Sequence, residues 1–292
     1  MKIQFTDAAQ ACFICHNGRF HADDVFSTVL LGKVFGPVIS LARISDIPDE
    51  IDPNVIIYDI GGGRFDHHQS GGNGSRPNGI PYASFGLLWI AFGKTFCEQY
   101  DLDYEYIFPE FDKFIEGIDA YDNGWFHNKT PIQNISNCIA LFNSTWEDCE
   151  ASDNNAAFAR AADFAEIVFD NVISSIVSRS HAFTELSKTL KTADSDTLYL
   201  SRYIPYSACP ELIGRINFIV YPSERGGYNL QIINRHYSFH PDLLGLTGKE
   251  LRIKTGIKSA IFVHNSGKIG GTGSLCDIPV LQKHIIENCS KS

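Results

Sequence analysis

Positive charge is scarce in this 292-residue chain: 24 Lys+Arg stand against 34 Asp+Glu, a formal net charge of −10. That balance excludes a protein that coats nucleic acid through general electrostatics. Long apolar runs are missing as well. No stretch approaches the roughly 20 apolar residues that span a bilayer, which excludes a helical membrane protein and a membrane partner of that kind. Residues 1–10 contain neither a basic segment nor an apolar run of signal-peptide length, so the cytoplasm is the expected compartment. Paired cysteine motifs are also lacking. There are eight cysteines, and in a chain of this length without an export signal they are expected to be reduced thiols. Cys12 and Cys15 form a lone C-x-x-C with no second pair, and the intervening Phe13 and Ile14 read as a buried strand, so both are expected to be core thiols.

What is present is the composition of an ordinary globular protein, 44% hydrophobic and 20% charged, in a chain long enough for two domains. Charge divides with position. Residues 196–292 hold 11 Lys+Arg against 7 Asp+Glu, whereas residues 1–195 hold 13 against 27. An acidic half that cations can neutralise therefore precedes a mildly basic half that could hold an anion.

The first half reads as α/β. Residues 11–15 are a short apolar strand, a turn-like His16-Asn17-Gly18-Arg19 follows, and a helix begins near Asp23 with Val25, Phe26, Val29, Leu30 and Val34 at three-to-four spacing. Residues 38–41 resemble a second strand. Residues 54–58 form an apolar run typical of a parallel sheet, stopping at Asp59, which thus stands at a strand's carboxyl end, where open α/β sheets bind ligands. Residues 70–79 (SGGNGSRPNG) have neither periodicity nor bulk and are expected to be a mobile loop and candidate lid. Helices are expected from about 82 to 92 and from Pro109 to Tyr121, the latter ended by Asn123-Gly124. The stripe over 154–190 predicts two helices, and 192–197 a linker. From 198 onward alternating strands at 216–220, 228–233 and 260–263 predict a smaller α+β domain with a mixed or antiparallel sheet.

Four of the ten histidines fall between positions 16 and 68. His16 and His21 bracket a Gly-containing turn with Asp23 two residues on, so imidazole and carboxylate can converge on one cation. In Asp66-His67-His68 one ring can bind metal while the next faces substrate, and the neighbouring carboxylate can fix a tautomer. Asp119 and Asp122, at i and i+3 near a helix end, are disfavoured by the helix dipole, and a bound cation would stabilise either. Three His with three or four Asp favour Mn²⁺ or Mg²⁺ over thiolate-bound zinc, and the count fits two metals with Asp59 bridging them. Two such cations activate water for in-line displacement at phosphorus, that is, hydrolysis of a phosphate ester or anhydride.

The order H-N-G-x-F-H-x-D-D, strand-Asp-x-Gly-Gly, D-H-H-Q and I-D-A-x-D-N-G resembles the melanocyte-proliferating-gene protein family, itself similar to the DHH phosphoesterase superfamily. The later segments Ala208-Cys209-Pro210, Tyr228-x-x-Gln231, Gly256-Ile257 and Phe262-Val263-His264-Asn265-Ser266-Gly267-x-Ile269-Gly270-Gly271 extend the likeness over nearly the whole chain. The resemblance implies a DHH-like parallel-sheet catalytic domain with helices on both faces (residues 1–195) and a substrate-binding α+β domain (196–292). It further implies 3′–5′ exonuclease or related phosphodiesterase activity on RNA or a short oligonucleotide, using two divalent cations, Mn²⁺ ahead of Mg²⁺. Carried over residue by residue, His16, His21, Asp23, Asp59, His67 and Asp119 resemble metal ligands, with Asp122 the alternative to Asp119. His68 would contact substrate or protonate the leaving oxygen. His264 and the Gly270-Gly271 turn resemble a glycine-rich substrate element whose backbone N–H groups approach phosphate. Arg235 and Lys268 are further substrate candidates, for which solvated surface charge is the plainer reading. Tyr82-Ala83-Ser84-Phe85-Gly86 departs from the family's usual pattern, as do the short Asp59–Asp66 interval and Glu211 after Cys209-Pro210, and these leave substrate choice open. A small-molecule phosphate or pyrophosphate hydrolase and a non-catalytic, metal-stabilised binding protein are the competing readings, and the sequence leaves a homo-oligomer open.

Overall fold

The computed structural model describes residues 1–125, 134–145, 147 and 154–287, and the chain divides into two compact units, Met1–Val177 and Ser178–Ser292. Cys149 and Cys289 lie outside the described residues. The fold is α/β, with a four-stranded parallel sheet in the first unit and a separate mixed sheet in the second.

In the first unit, β1 (Lys2–Phe5), β2 (Phe13–His16), β3 (Val38–Ile44) and β4 (Ile56–Ile57) lie in the order β1-β3-β2-β4, all parallel. The alternation of β2 explains the layering. Phe13 and Cys15 face a large core, while Ile14 faces a smaller one. The large core is built with α1 (Ala22–Phe35), α2 (Ser84–Gln99), α3 (Tyr104–Asp122) and the first part of α5 (Asn154–Lys191). The smaller cluster unites Ala11, Ile14 and Ala42 with Ile47, Ile51, Val55 and Ile57. Among the described residues that second face is thus covered by the chain leading to β4, in place of the second layer of helices that the resemblance implies. The 45–55 segment supplies enough isoleucine and valine to cover so small a sheet.

Several boundaries differ from the sequence pattern for identifiable reasons. β1 has no counterpart among the strands that the pattern predicts. β4 spans only Ile56–Ile57, although the Tyr58 N–H still reaches the Ile14 carbonyl at 2.9 Å. The next residue, Asp59, has φ +59° and ends the strand. α3 begins at Tyr104 because Asp103 caps it, its Oδ1 accepting from the Glu105 N–H at 3.1 Å, so Pro109 sits inside the helix and not at its start. Residues 154–191 form one helix, α5, since no Gly or Pro interrupts them. Among the described residues a short α4 (Ile135–Ala140) completes the α-helices of the first unit. No helix among the described residues is long and apolar enough to cross a membrane.

In the second unit the last turns of α5 (Ala182, Leu186, Leu190) pack in a core of their own. The five-stranded mixed sheet comprises β5 (Thr197–Tyr199), β6 (Phe218–Pro222), β7 (Tyr228–Ile232), β9 (Ala260–Val263) and β10 (Ile269–Thr272), in the order β5-β6-β7-β10-β9. The 192–197 segment read as a linker therefore runs into β5. β8 (Tyr237–Phe239) pairs with β11 (Ile285–Glu287), and α6 (Gly248–Thr255) and α7 (Ile278–Gln282) complete the unit.

Phe26 and Phe85, from α1 and α2, are fully buried with ring centroids 5.6 Å apart. Truncating either to alanine would cost about 3–5 kcal/mol. This contact ties together the N-terminal parts of the two helices that carry much of the site.

Candidate metal centre

β2 delivers His16 at its carboxyl end, and the 17–21 turn returns the chain to α1. Phe20 anchors that turn. Its ring is buried, its N–H donates to Asn143 Oδ1 at 3.0 Å, and its carbonyl accepts from Asn143 Nδ2 at 2.9 Å. Asp23 and Asp24 occupy the first turn of α1, where the helix dipole favours acids. β4 ends at Asp59, the following loop brings Asp66, His67 and His68, and Asp122 is the last residue of α3.

These residues converge. His16 Nε2 lies 3.2 Å from both Asp24 Oδ2 and Asp59 Oδ2. His67 Nδ1 lies 3.4 Å from Asp59 Oδ1 and 3.9 Å from Asp23 Oδ2, and His67 Nε2 is 2.8 Å from Asp122 Oδ2. His21 Nδ1 is 3.7 Å from Asp122 Oδ1. Three ligand-type groups result: His16 with Asp24 and Asp59, His21 with Asp23 and Asp122, and Asp59 with Asp66, His67 and His68. Asp59 belongs to two of them. A cavity of about 440 Å³ opens alongside, lined by His21, His67, His68, Tyr121, Asp122 and Ser136 among others.

Protein groups alone do not satisfy this cluster. Asp23, Asp24 and Asp59 are fully buried, yet both oxygens of Asp23, Oδ2 of Asp24, Oδ2 of Asp59 and His16 Nε2 have no hydrogen-bond partner. Orphaned buried polar atoms are costly, and several converging on one place call for a ligand. His16 Nδ1 lies 2.7 Å from the Asn17 carbonyl. Donating a proton there leaves Nε2, in the neutral ring, as a lone pair facing two carboxylates. Either a proton or a cation must intervene. Without a cation, burial opposes the charged His16 ring, but Asp24 and Asp59 outweigh it and push the pKa up to about 11. Burial also pushes Asp23 well above the carboxylate range, reinforced by Asp59, Asp122, Asp24 and Asp119. A donor set of imidazole nitrogen and carboxylate oxygen fits Mn²⁺ or Mg²⁺.

The remaining candidates are placed differently. Asp119 does not join the cluster. Its Oδ2 accepts from Arg76 Nη1 at 2.8 Å and its Oδ1 from the Gly86 N–H at 3.2 Å. Burial raises its pKa to about 7 even though Arg76 lowers it. Gly86 lets this carboxylate approach, because a Cβ there would collide with Asp119 Oδ2. Of the two acids left open, Asp122 is the one turned toward the histidines. The 70–79 segment expected as a mobile lid is pinned: Arg76 is buried on Asp112 and Asp119, and Asn73 Nδ2 donates to the carbonyls of Gly63, Arg64 and Asp66. Cys12 is exposed and Cys15 buried, and burial raises the Cys15 thiol pKa, as befits a core thiol.

Two residues of the site are not evident from the sequence. Asp24 reads there only as a first-turn helix acid. Ser84 carries no signal beyond its position at the start of α2, yet its buried Oγ donates to Asp59 Oδ1 at 2.9 Å and so orients the shared carboxylate.

In the second unit, His264 is exposed on a cavity while its Nδ1 lies 2.9 Å from Ser266 Oγ. Gly270 and Gly271 are not in a turn. They lie inside β10, paired with β7 and β9 on both sides, so their N–H groups belong to the sheet and not to a phosphate. Lys268 Nζ is taken up by the backbone carbonyls of Asn234, Arg235 and Tyr237, which removes it as an anion ligand. Arg235 is exposed and does not line that cavity.

A family profile described as MYG1_exonuc, uncharacterised protein family (UPF0160), matches residues 12–279. The MYG1 exonuclease of Mus musculus is 27% identical over 308 residues, spanning 88% of this chain and 80% of its own length. The MYG1 exonuclease of Homo sapiens is 26% identical over 315 residues, with the same two coverages of 88% and 80%. The MYG1 protein of Saccharomyces cerevisiae is 24% identical over 326 residues, covering 94% of each chain. No solved structure matches the chain.

Proposed function

The chain belongs to the MYG1 exonuclease family, and from that premise we propose that it is a metal-dependent phosphodiesterase that shortens RNA or short oligonucleotides from the 3′ end. The observation that carries this reading is the set of buried, unpartnered atoms on His16, Asp23, Asp24 and Asp59. His16, Asp24 and Asp59 would hold one divalent cation and His21, Asp23 and Asp122 a second, with His67 between the two groups, its Nδ1 toward Asp59 and its Nε2 toward Asp122. Manganese is favoured over magnesium by the imidazole share of the donors. Such cations supply the charge that acidifies a water and offsets the negative charge developing at phosphorus.

The remaining chemistry belongs to the chain. His68 Nδ1 lies 2.8 Å from Asp66 Oδ1, and Asp66 is itself held by the N–H groups of Gly62 at 2.7 Å and His68 at 3.1 Å. That arrangement fixes the tautomer and directs Nε2 of the half-exposed ring outward. As water attacks phosphorus and the bond to the leaving oxygen breaks, the imidazolium form of His68, its Nδ1–H held by Asp66, gives that oxygen the Nε2 proton and is left as the neutral Nδ1–H ring. The cavity of about 440 Å³ opens beside His67 and His68.

Full-length protein with Mn²⁺ and a 5′-labelled oligoribonucleotide should give a ladder of products shortened one nucleotide at a time. Asp59→Asn should lower that rate roughly a thousandfold, since several kcal/mol of transition-state stabilisation rest on the metals. Pyrophosphate cleavage with the RNA untouched would move the assignment to a small-molecule hydrolase. Unchanged turnover in Asp59→Asn would sink every enzymatic reading of this centre.

A further inference from the structure

The second unit contains a cavity of about 770 Å³ whose lining includes Tyr203, Tyr221, Arg225, Asn229, Phe262 and His264. Its floor follows from strand register. Tyr221 on β6 faces Asn229 on β7, Asn229 faces Gly271 on β10, and Gly271 faces Phe262 on β9. These four positions form one row across the sheet, and the third has no side chain. A Cβ on Gly271 would come within 2.7 Å of Phe262 Cε1, so the glycine lets that ring lie flat against the strand. The opposite wall is Tyr203, 54% exposed, its ring centroid 5.0 Å from that of the buried Tyr221.

We propose that this cavity is a nucleobase subsite: a base of the substrate stacks on the Tyr203–Tyr221 wall over the Phe262 floor, with the Asn229 carboxamide and Gln231 Oε1 along its polar edge, Gln231 Nε2 being held by the Ile232 and Lys268 carbonyls. Flat aromatic surface recognises the π-face that every base shares. A site for phosphate alone would be built otherwise. The one arginine lining the cavity, Arg225, stands beside Glu224, and His264 Nδ1 is engaged by Ser266. The subsite rests on the phosphodiesterase reading for its substrate, but on separate residues for its chemistry.

The test uses the full chain stripped of metal with EDTA, so that nothing turns over, titrated calorimetrically with AMP and with ribose 5-phosphate, which has no base. AMP should bind at least about tenfold tighter than ribose 5-phosphate. Tyr203→Ala, at an exposed position that does not threaten the fold, should weaken AMP by roughly tenfold or more, and Tyr203→Phe should restore it. Phe262→Leu should weaken AMP as well. Equal affinity for the two ligands, or AMP binding unchanged by Tyr203→Ala, would overturn the subsite. The two readings separate: base-dependent AMP binding without Mn²⁺-dependent hydrolysis of bis-p-nitrophenyl phosphate keeps the subsite and fails the function, and hydrolysis with base-independent binding does the reverse.

Discussion

Asp119 and Asp23 are equally buried, at 0% exposure each, and both belong to the first unit. Asp119 is surrounded by donors, namely the Arg76 guanidinium and the Gly86 N–H. Asp23 has none for either oxygen and faces further acids instead. A buried carboxylate with its counter-charge supplied by the chain is part of the architecture. One whose surroundings are all acid or imidazole is incomplete without something the chain does not encode. The contrast separates framework from function more sharply than burial or charge alone, and it can be broken experimentally.

The largest effect expected is at Arg76. Arg76→Ala leaves Asp119 buried and unpaired, which costs about 3–5 kcal/mol. Urea denaturation should show this loss equally with Mn²⁺ and with EDTA, and replacing the pair together, Arg76→Met with Asp119→Leu, should recover most of it. A loss that appeared only in EDTA would mean that Asp119 is a metal ligand after all, and the contrast between the two acids would collapse.

Ser84 sharpens the other side. Its hydroxyl donates to one oxygen of Asp59 and leaves Oδ2 for a ligand. Ser84→Ala should weaken Mn²⁺ binding or turnover by about 10- to 100-fold, the usual effect of removing a group that orients a metal-binding carboxylate. A Mn²⁺ titration of the variant measures it. If affinity and rate stay put, Asp59 is oriented by its left-handed backbone alone.

The same contrast explains which parts of the fold and the site are legible in the amino-acid sequence. His16, Asp59 and the His67-His68 pair are legible because chain order and strand ends place them on one sheet edge, a consequence of parallel-sheet topology. Asp119 and Asp122 cannot be told apart there, since i and i+3 share a helix face and the deciding partner, Arg76, comes from a glycine-rich stretch with no periodicity to announce it. Asp24 is hidden by a second explanation, its suitability for a helix start. Gly270-Gly271 reads as a turn because two glycines usually do, whereas here Phe239 and Phe262 lie where their side chains would go. In each case a contact between residues distant in sequence settles what local pattern leaves open. The resemblance to a known family covers the order of the motifs but not which carboxylate meets which partner.

The prediction that bears most directly on the unpartnered acids is pH dependence. In metal-free protein the His16 pKa is pushed up to about 11 and that of His67 is raised, the gain from neighbouring carboxylates exceeding the opposing effect of burial. Their stabilising protons are fully present below the unfolded value of about 6.5 and are lost as pH rises through the folded values. Asp23, raised mainly by burial, acts in the same sense from about pH 4 upward, because the folded state holds a proton that the unfolded chain has released. Asp66 and Asp122 are lowered and matter only in acid, where their stabilisation is lost as pH falls. Between pH 6.5 and 8.5 the shifts therefore point one way. Stability in EDTA should fall with rising pH, each such proton contributing a slope of at most about 1.4 kcal/mol per pH unit. Mn²⁺ requires the same groups deprotonated, so its stabilising effect should grow over that range. Thermal unfolding at half-unit intervals, with and without Mn²⁺, should show two curves that diverge with pH. Parallel curves would mean that the cation binds without displacing these protons, and that the unpartnered acids are not its ligands.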